Sequence, residues 1–321
     1  MEAVLSEAWL ITGGSGFVGN ALLTRLSTSD QRPSILRVLV RQPSDAPSHF
    51  ESCVGDLRDP HSLQHACEGV DTVIHLAGIA HVGSAASAEA RAINLDGSLA
   101  LLHAAIDAGV RRFVFLSSTL SLDDSLHYGR DKRRVEEALI AAAAAGSIEV
   151  VILRAVNIYG VGMRGNIATM IRLISSGVLP RLPALSNRLS LVGVEDVVSA
   201  LLLAATHLSP ADSPTKLALT VILTDGCDYR IDAIEEAIYT AVERRPSHWR
   251  LPAMVLFAAS GLAELFEKLR IFRSGIGLRT YRNLTRDNVF DNQSARTELG
   301  FEPTTTFFAQ LDTLVRQSTK I

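Results

Sequence analysis

The chain has 321 residues, enough for one large α/β domain or two smaller ones. Apolar residues make up 47 % and charged residues 20 %, which fits a soluble protein with a sizeable core, and the net charge of −3 excludes a general attraction to nucleic acid or an anionic membrane. Cys53, Cys67 and Cys227 are far apart and odd in number, and no CxxC or Cys/His spacing accompanies them. That pattern excludes a disulfide framework and a metal site, and it favours a reducing, cytoplasmic setting.

The N-terminal stretch MEAVLSEAWLITGG lacks a basic leader and runs into a predicted strand and a glycine turn, so it is not a signal peptide. WLITGG reads as a strand and NALLTRLST as a helix. ILRVLVR and SCVGDL follow as strands, SLQHACEG as a helix and DTVIHLAG as a strand. A longer helix around AINLDGSLALLHAAIDAG precedes the strand RRFVFLSS, a helix carrying Tyr128, and the strand EVVILRAVNIYG. Continuous Val/Ile/Leu strands alternating with helices predict a Rossmann-type doubly wound parallel sheet in an α/β fold, with ligands at the C-terminal strand ends. After Gly160 the rhythm changes. MIRLISSGVLP, VVSALLLAATHL, ALTVIL and DAIEEAIYTAVE no longer repeat a βα unit cleanly. The expected organisation is a dinucleotide-binding domain over 1–160, with later segments returning to its sheet, and a smaller mixed α/β substrate lobe over 161–321. The longest apolar run, 251–266, is broken by Gly261 and Glu264 and is too short to span a bilayer, so a buried or dimer-facing helix is expected there. Arg270, Arg273, Arg279, Arg282 and Arg286 follow it and read as a solvated face, with peripheral membrane contact as the alternative.

WLITGGSGFVGNALL places Gly13, Gly16 and Gly19 between the first strand and the first helix. Glycines there permit a tight turn, the approach of a pyrophosphate and close helix packing. The second strand ends in Arg41 rather than in the acidic residue that would hold a ribose 2′-hydroxyl. A guanidinium can pair with a 2′-phosphate instead, which favours NADP(H) over NAD(H), the latter staying open. Asp56, at the next strand end, can accept from an adenine amino group.

RRFVFLSSTL ends a strand with Ser117, Ser118 and Thr119, and Tyr128 opens the next helix ten residues after Ser118. YGRDK sets Tyr128 and Lys132 one helical turn apart on one face. A tyrosine pKa of about 10 is too high for a base at neutral pH, and a nearby ammonium favours phenolate. A serine hydroxyl can orient and polarise the reacting oxygen. His75, His81 and His103 have no metal-ligand spacing, and Cys53 and Cys67 read as small core residues.

With these motifs in order, the chain resembles the extended short-chain dehydrogenases/reductases, also called the NAD-dependent epimerase/dehydratase family. TGGSGFVG, with Phe17 and Val18, resembles the family's TGxxGxxG. VGDLRD, with Asp56 and Leu57, resembles its adenine motif, and HLAG, with Leu76, Ala77 and Gly78, its central-strand motif. INLDG supplies the helix-borne Asn94, YGRDK fits YxxxK, and LRAVNIYGVG resembles LRPxxVYGPG. RGN, NRLSLVGVEDVVSA and DNQSARTELGFEP resemble segments of nucleotide-sugar members, among them bacterial UDP-sugar 4-epimerases and 4-keto reductases of surface-polysaccharide synthesis. The resemblance implies a catalytic Ser118, Tyr128 and Lys132, the last two also touching the cofactor, and substrate contacts at Ser118, Asn157, Asn166 and Arg188. It also implies a homodimer, for which the Ala-rich run 138–145 would provide a close helix contact.

Four departures qualify the carry-over. Extended members separate the Ser and Tyr by roughly two dozen residues, whereas the gap here is ten, which predicts a substrate pocket more open on that side. Ala155 and Val161 stand where prolines are usual, predicting a looser strand-end turn. Leu189 stands where many nucleotide-sugar members have Arg, with Arg188 one residue off. Thr119 and Leu120 replace the Asp and Glu of dehydratases, which argues against water elimination. The reading is an NADP-dependent oxidoreductase acting on a carbonyl or hydroxyl carbon, C4 of a nucleotide-linked sugar. Its alternatives are a 4-epimerase with retained cofactor, a reductase of an apolar carbonyl, and a non-catalytic NADP-binding sensor.

Overall fold

The computed structural model describes residues 7–29, 32–45, 49–79, 87–123, 126–177, 181–183, 185–206, 217–247, 249–250, 252, 254–255, 257–258, 261 and 286–318. Strands β1 (Ala8–Thr12), β2 (Ile35–Val40), β3 (Glu51–Val54), β4 (Thr72–His75), β5 (Arg112–Ser118), β6 (Glu149–Ala155) and β9 (Ala218–Leu223) form one parallel sheet in the order 3-2-1-4-5-6-9. The chain leaves β1 toward β2 and β3, then crosses to β4 on the other side. The switch point therefore lies between the C-terminal ends of β1 and β4, where an open α/β sheet leaves a crevice.

Both faces of the sheet are covered, which is why β1 and β4 are buried at every position. Trp9 and Ile11 join Ile74, Val114 and Leu153 under α1 (Phe17–Ser27), α7 (Val194–Thr206) and α9 (Gln293–Leu299). Leu10, Val73, Phe113, Phe115 and Ile152 point the other way, under α2 (Pro60–Cys67), α4 (Ser98–Asp107) and α5 (His127–Ala144). Cys53 and Cys67 pack there as small core residues, and burial pushes the Cys67 thiol up to about 12. The short helix α3 (Ser87–Arg91) runs into a widened, π-helical turn at Ala92–Gly97 before α4, so the long helix expected here is interrupted. Gly97 makes room for the interruption: a Cβ there would lie 2.7 Å from Leu57 Cβ.

The stretch EVVILRAVNIYG, read as one strand, divides at Val156. Ala155 pairs with Ser118 and Leu223 in the main sheet, whereas Asn157 pairs with Leu191 in a second one. The apolar pattern runs through the break, so periodicity carries no sign of it. Ala155 is buried and paired on both sides, so its strand end is held in register and not loosened. The second sheet comprises β7 (Asn157–Tyr159), β8 (Arg188–Gly193) and β10 (Asp228–Arg230) and packs with α6 (Asn166–Ser176), α8 (Ile231–Ala241) and α10 (Phe307–Ser318). Just past β9, the buried Asp225 accepts hydrogen bonds from Tyr229 Oη (2.6 Å), Tyr159 Oη (3.2 Å) and the Cys227 amide (3.0 Å). That carboxylate fastens the main sheet to the second core.

Among the described residues no helix is long and apolar enough to cross a membrane. Most of the run 251–266 lies outside the described residues; Met254, within it, is 84 % exposed. His81 and Arg270, Arg273, Arg279 and Arg282 also lie outside them.

Candidate active site

The β1–α1 turn shows why Gly13 and Gly19 resist replacement. Gly13 takes a left-handed conformation (φ +78°), and a Cβ there would stand 2.6 Å from the Ala77 backbone nitrogen. A Cβ on Gly19 would meet the Gly13 carbonyl oxygen at 2.1 Å. Gly16 is the exposed residue that caps α1, with Phe17 and the buried Val18 opening the helix. Backbone N–H groups at such a helix start suit a phosphate, and side chains at these positions would fill the cradle.

On the β4 side, Leu76, Ala77 and Gly78 leave the strand beside this turn. A buried chain of hydrogen bonds fixes them. Ser98 Oγ donates to the Asn94 carbonyl (2.8 Å), so it accepts from His75 Nε2 (2.8 Å). His75 Nδ1 then accepts from the Thr12 hydroxyl (2.6 Å), and Thr12 Oγ1 lies 3.4 Å from the Ala77 amide that donates to it. The Asn94 side chain holds both sides of Ile79: its Oδ1 accepts from the Ile79 amide (2.7 Å) and its Nδ2 donates to the Ile79 carbonyl (2.9 Å). Asn94, expected among cofactor contacts, is thus buried behind the Gly78–Ile79 backbone, and its amide is committed to that loop.

The ends of β2 and β3 carry charges. Asp56 follows β3, with Leu57 buried beside it. Both Asp56 oxygens are held by Arg58, through Nε (2.9 Å), Nη2 (2.7 Å) and the Arg58 amide (2.9 Å). These hydrogen bonds bring the carboxyl down to about 2, with Arg41 adding a smaller electrostatic effect. Arg41 is exposed directly after β2. Arg58 is a partner that sequence reading left unassigned.

At the end of β5 the two serines separate. Ser117 turns toward α5 and donates to Glu136, whereas Ser118 Oγ accepts from the Leu120 amide (3.3 Å) and starts a one-turn 3₁₀ segment, Thr119–Leu122. Tyr128 stands in the first turn of α5, partly exposed. Lys132 is only 3 % exposed: Nζ donates to the Leu116 carbonyl (2.9 Å) and lies 4.2 Å from the Phe115 ring centre and 5.9 Å from that of Tyr128. A Cβ on Gly78 would stand 3.8 Å from the same ammonium, which places Lys132 against the β4 exit loop. Burial lowers the Lys132 pKa to about 8, and the Glu136 charge opposes that fall.

The ten-residue connection from Ser118 to Tyr128 depends on Gly129. A Cβ there would lie 2.1 Å from the Leu120 carbonyl oxygen and 2.9 Å from that of Asp123, so the 3₁₀ turn packs directly on the start of α5. The only hint in the sequence is a glycine inside a helix that otherwise reads well. Among the expected substrate residues, Asn157 and Asn166 are exposed at the starts of β7 and α6. Arg188 is exposed at the start of β8, where its guanidinium meets Asp228 (3.5 Å) and its amide Asp287 (2.8 Å). Leu189 is buried in the second core.

Two outcomes follow from this geometry. Gly129→Ala raises intrinsic helix propensity but drives a Cβ into two backbone carbonyls, so it is expected to lower the free energy of urea unfolding by about 1–3 kcal/mol. An unchanged or raised unfolding midpoint would mean that the turn does not pack on α5. His75 is depressed to about 3, first by burial and then by the Lys132 charge. A histidine whose folded pKa lies below its unfolded value of about 6.5 binds fewer protons when folded. Its contribution to stability is therefore complete above pH of about 6.5 and is lost as pH falls toward 3. His75→Gln is expected to make the loss of unfolding free energy between pH 6.5 and 4.5 shallower than in wild type, and equal slopes would assign that loss to other groups.

Residues 9–219 match the model of the NAD dependent epimerase/dehydratase family. The chain is 29 % identical over 272 residues to a UDP-glucose 4-epimerase of Vibrio cholerae, covering 78 % of this chain and 80 % of that protein. It is 31 % identical over 279 residues to a ceramide reductase of Caulobacter vibrioides, covering 85 % and 83 % respectively. Its fold matches the Thermotoga maritima UDP-glucose 4-epimerase solved with UDP-glucose, with a TM-score of 0.74 at 19 % identity, over 98 % of this chain and 99 % of the other. The glycine turn, the seven-stranded parallel sheet and the YxxxK helix thus belong to one lineage, and the chain is a member of the NAD dependent epimerase/dehydratase family, the extended short-chain dehydrogenases/reductases.

Proposed function

We propose that this protein is an NADP-dependent oxidoreductase that reduces, or in reverse oxidises, a carbonyl/hydroxyl carbon, with C4 of a nucleotide-linked sugar as the substrate class. The observation that carries the proposal is the Lys132 ammonium, buried against the β4 exit loop and facing the Tyr128 ring at the sheet's C-terminal edge. A nicotinamide cofactor, when held at the β1–α1 turn, would supply or accept the hydride. Tyr128 moves the proton on the reacting oxygen, donating it in reduction and taking it in oxidation. Lys132 lowers the energy of the phenolate. Ser118 accepts from the Leu120 amide, which leaves its own hydrogen to donate to the substrate oxygen.

NADP(H) is proposed over NAD(H) because Arg41, exposed directly after β2, offers a guanidinium that can pair with a 2′-phosphate. Asn157, Asn166 and Arg188 are proposed to face the nucleotide end of the substrate from the second lobe. The short Ser118–Tyr128 connection leaves the pocket open on that side. The ceramide reductase relative supports an apolar carbonyl as the competitor for the same chemistry. A second reading, a 4-epimerase that retains its cofactor, is favoured by the Vibrio relative and uses the same three residues. A homodimer through α5 is proposed as well, since Ile140 is exposed on that helix.

The test is a fluorescence titration with NADPH and NADH, followed by a panel of UDP- and dTDP-hexoses, their 4-keto forms and a long-chain ketone. Net NADPH oxidation on adding a keto sugar is expected. Interconversion of sugar isomers without net oxidation would identify the epimerase. Tyr128→Phe is expected to lower turnover about 10²-fold or more with NADPH affinity within about twofold of wild type; normal turnover would sink the mechanism. Arg41→Ala is expected to weaken NADPH at least about tenfold while leaving NADH unchanged. A wild-type preference for NADH would overturn the cofactor assignment.

A further inference from the structure

Glu136 lies one helical turn beyond Lys132, on the same face of α5. Its side chain is 2 % exposed. Ser117 donates to one carboxylate oxygen, and Arg154 on β6 reaches both, through Nε at 3.2 Å to each and Nη2 at 2.7 Å to Oε2. Ser117 and Arg154 are in register across β5 and β6, so three elements meet at one carboxylate. We propose that Glu136 is a positioning residue: its buried carboxylate, fixed by Ser117 and Arg154, keeps the Lys132 ammonium charged and α5 seated on β5 and β6. The proposal rests on the Tyr128–Lys132 reading above and extends it to the group that maintains the charge.

An ammonium removed from water tends to lose its proton unless an anion or several acceptors replace the solvent. The groups facing Lys132 can be counted element by element. From β5 come the Leu116 carbonyl and the Phe115 ring, a dipole and a π-face with no net charge. From β4 comes His75, neutral at physiological pH and bonded to Thr12 and Ser98. The β4 exit loop and the π-helical turn contribute Gly78 and the Asn94 amide, both uncharged. From α5 come Tyr128 and Glu136, and β6 contributes the cation Arg154 behind Glu136. Among these groups Glu136 is the anion, one turn from Lys132 and bonded to Arg154. Arg154 is part-exposed and can be hydrated, whereas Lys132 and Glu136 cannot.

The chain suits a direct measurement, because Lys132, Lys216, Lys268 and Lys320 are its only lysines. The full-length protein would be labelled with ¹³Cε-lysine and the four resonances titrated from pH 6 to 11, with Lys132→Arg assigning the buried one. Wild-type Lys132 is expected to be charged at pH 7 and to titrate below the other three. Glu136→Gln, which keeps shape and removes charge, is expected to lower the midpoint by about one pH unit or more. Glu136→Asp, which keeps the charge, is expected to stay within about half a unit of wild type. Equal midpoints in wild type and Glu136→Gln would overturn the proposal, as would equal shifts in the Asp and Gln variants, which would mark shape rather than charge. A wild-type Lys132 already neutral at pH 7 overturns it even if the Gln variant does not fold. The titration involves no turnover, so its failure is distinguishable from failure of the catalytic reading, which Tyr128→Phe kinetics decide.

Discussion

An ammonium group buried to 3 % exposure at the end of a parallel sheet needs replacements for the water it has lost, and the surroundings of Lys132 supply them. The Leu116 carbonyl is available because the pairing of β5 with β4 ends at Phe115, one residue earlier. The Phe115 ring offers a face, and the Glu136 carboxylate offers charge. Each of these fixes something else: β5 must end where Ser118 turns outward, α5 must lie flat on β5 and β6, and Tyr128 must enter one turn before Lys132. Gly129 serves the same seating of α5, because the 3₁₀ turn that follows β5 packs on the first turn of the helix only if that position carries no Cβ.

The crevice itself is held open by uncharged groups. Thr12, His75, Ser98 and Asn94 link the end of β1, the end of β4 and the π-helical turn in one buried sequence of hydrogen bonds. A histidine is suited to the middle of it because one ring nitrogen donates and the other accepts, so it joins two hydroxyls across the sheet. Its neutrality also matters for Lys132, because a second cation at that distance would oppose the ammonium. The arrangement separates two tasks: neutral groups shape the backbone at the switch point, and charged groups stand on α5, on β6, at Arg41 after β2 and in the Asp56–Arg58 turn.

Much of this was legible in the sequence where the signal is local. The strand–glycine–helix order over Trp9–Leu22 and the Tyr128–Lys132 spacing each place their residues within a single turn or element, and the α/β alternation led to the observed sheet. The unread parts depend on contacts between distant elements. Glu136 meets Arg154 and Ser117 across 18 and 19 residues, and Thr12 meets His75 across 63. Nothing in their local pattern distinguishes Glu136 from its exposed neighbour Glu137. The tie between Asn94 and the Ile79 backbone spans fifteen positions and leaves no local sign either. The division at Val156 was hidden for a different reason: two strands of different sheets share one apolar run.

That division bears on how the chain is made. The face of the main sheet carrying Trp9, Ile11, Ile74 and Leu153 is covered partly by α1, but also by α7, α9 and Phe301, which arrive from far along the chain. During synthesis the glycine turn and the YxxxK helix emerge early, while the residues that close the core above them are still inside the ribosome. The half-clad sheet must wait for these distant segments before it is covered. That face of the sheet is closed only when the chain has been made as far as Phe301.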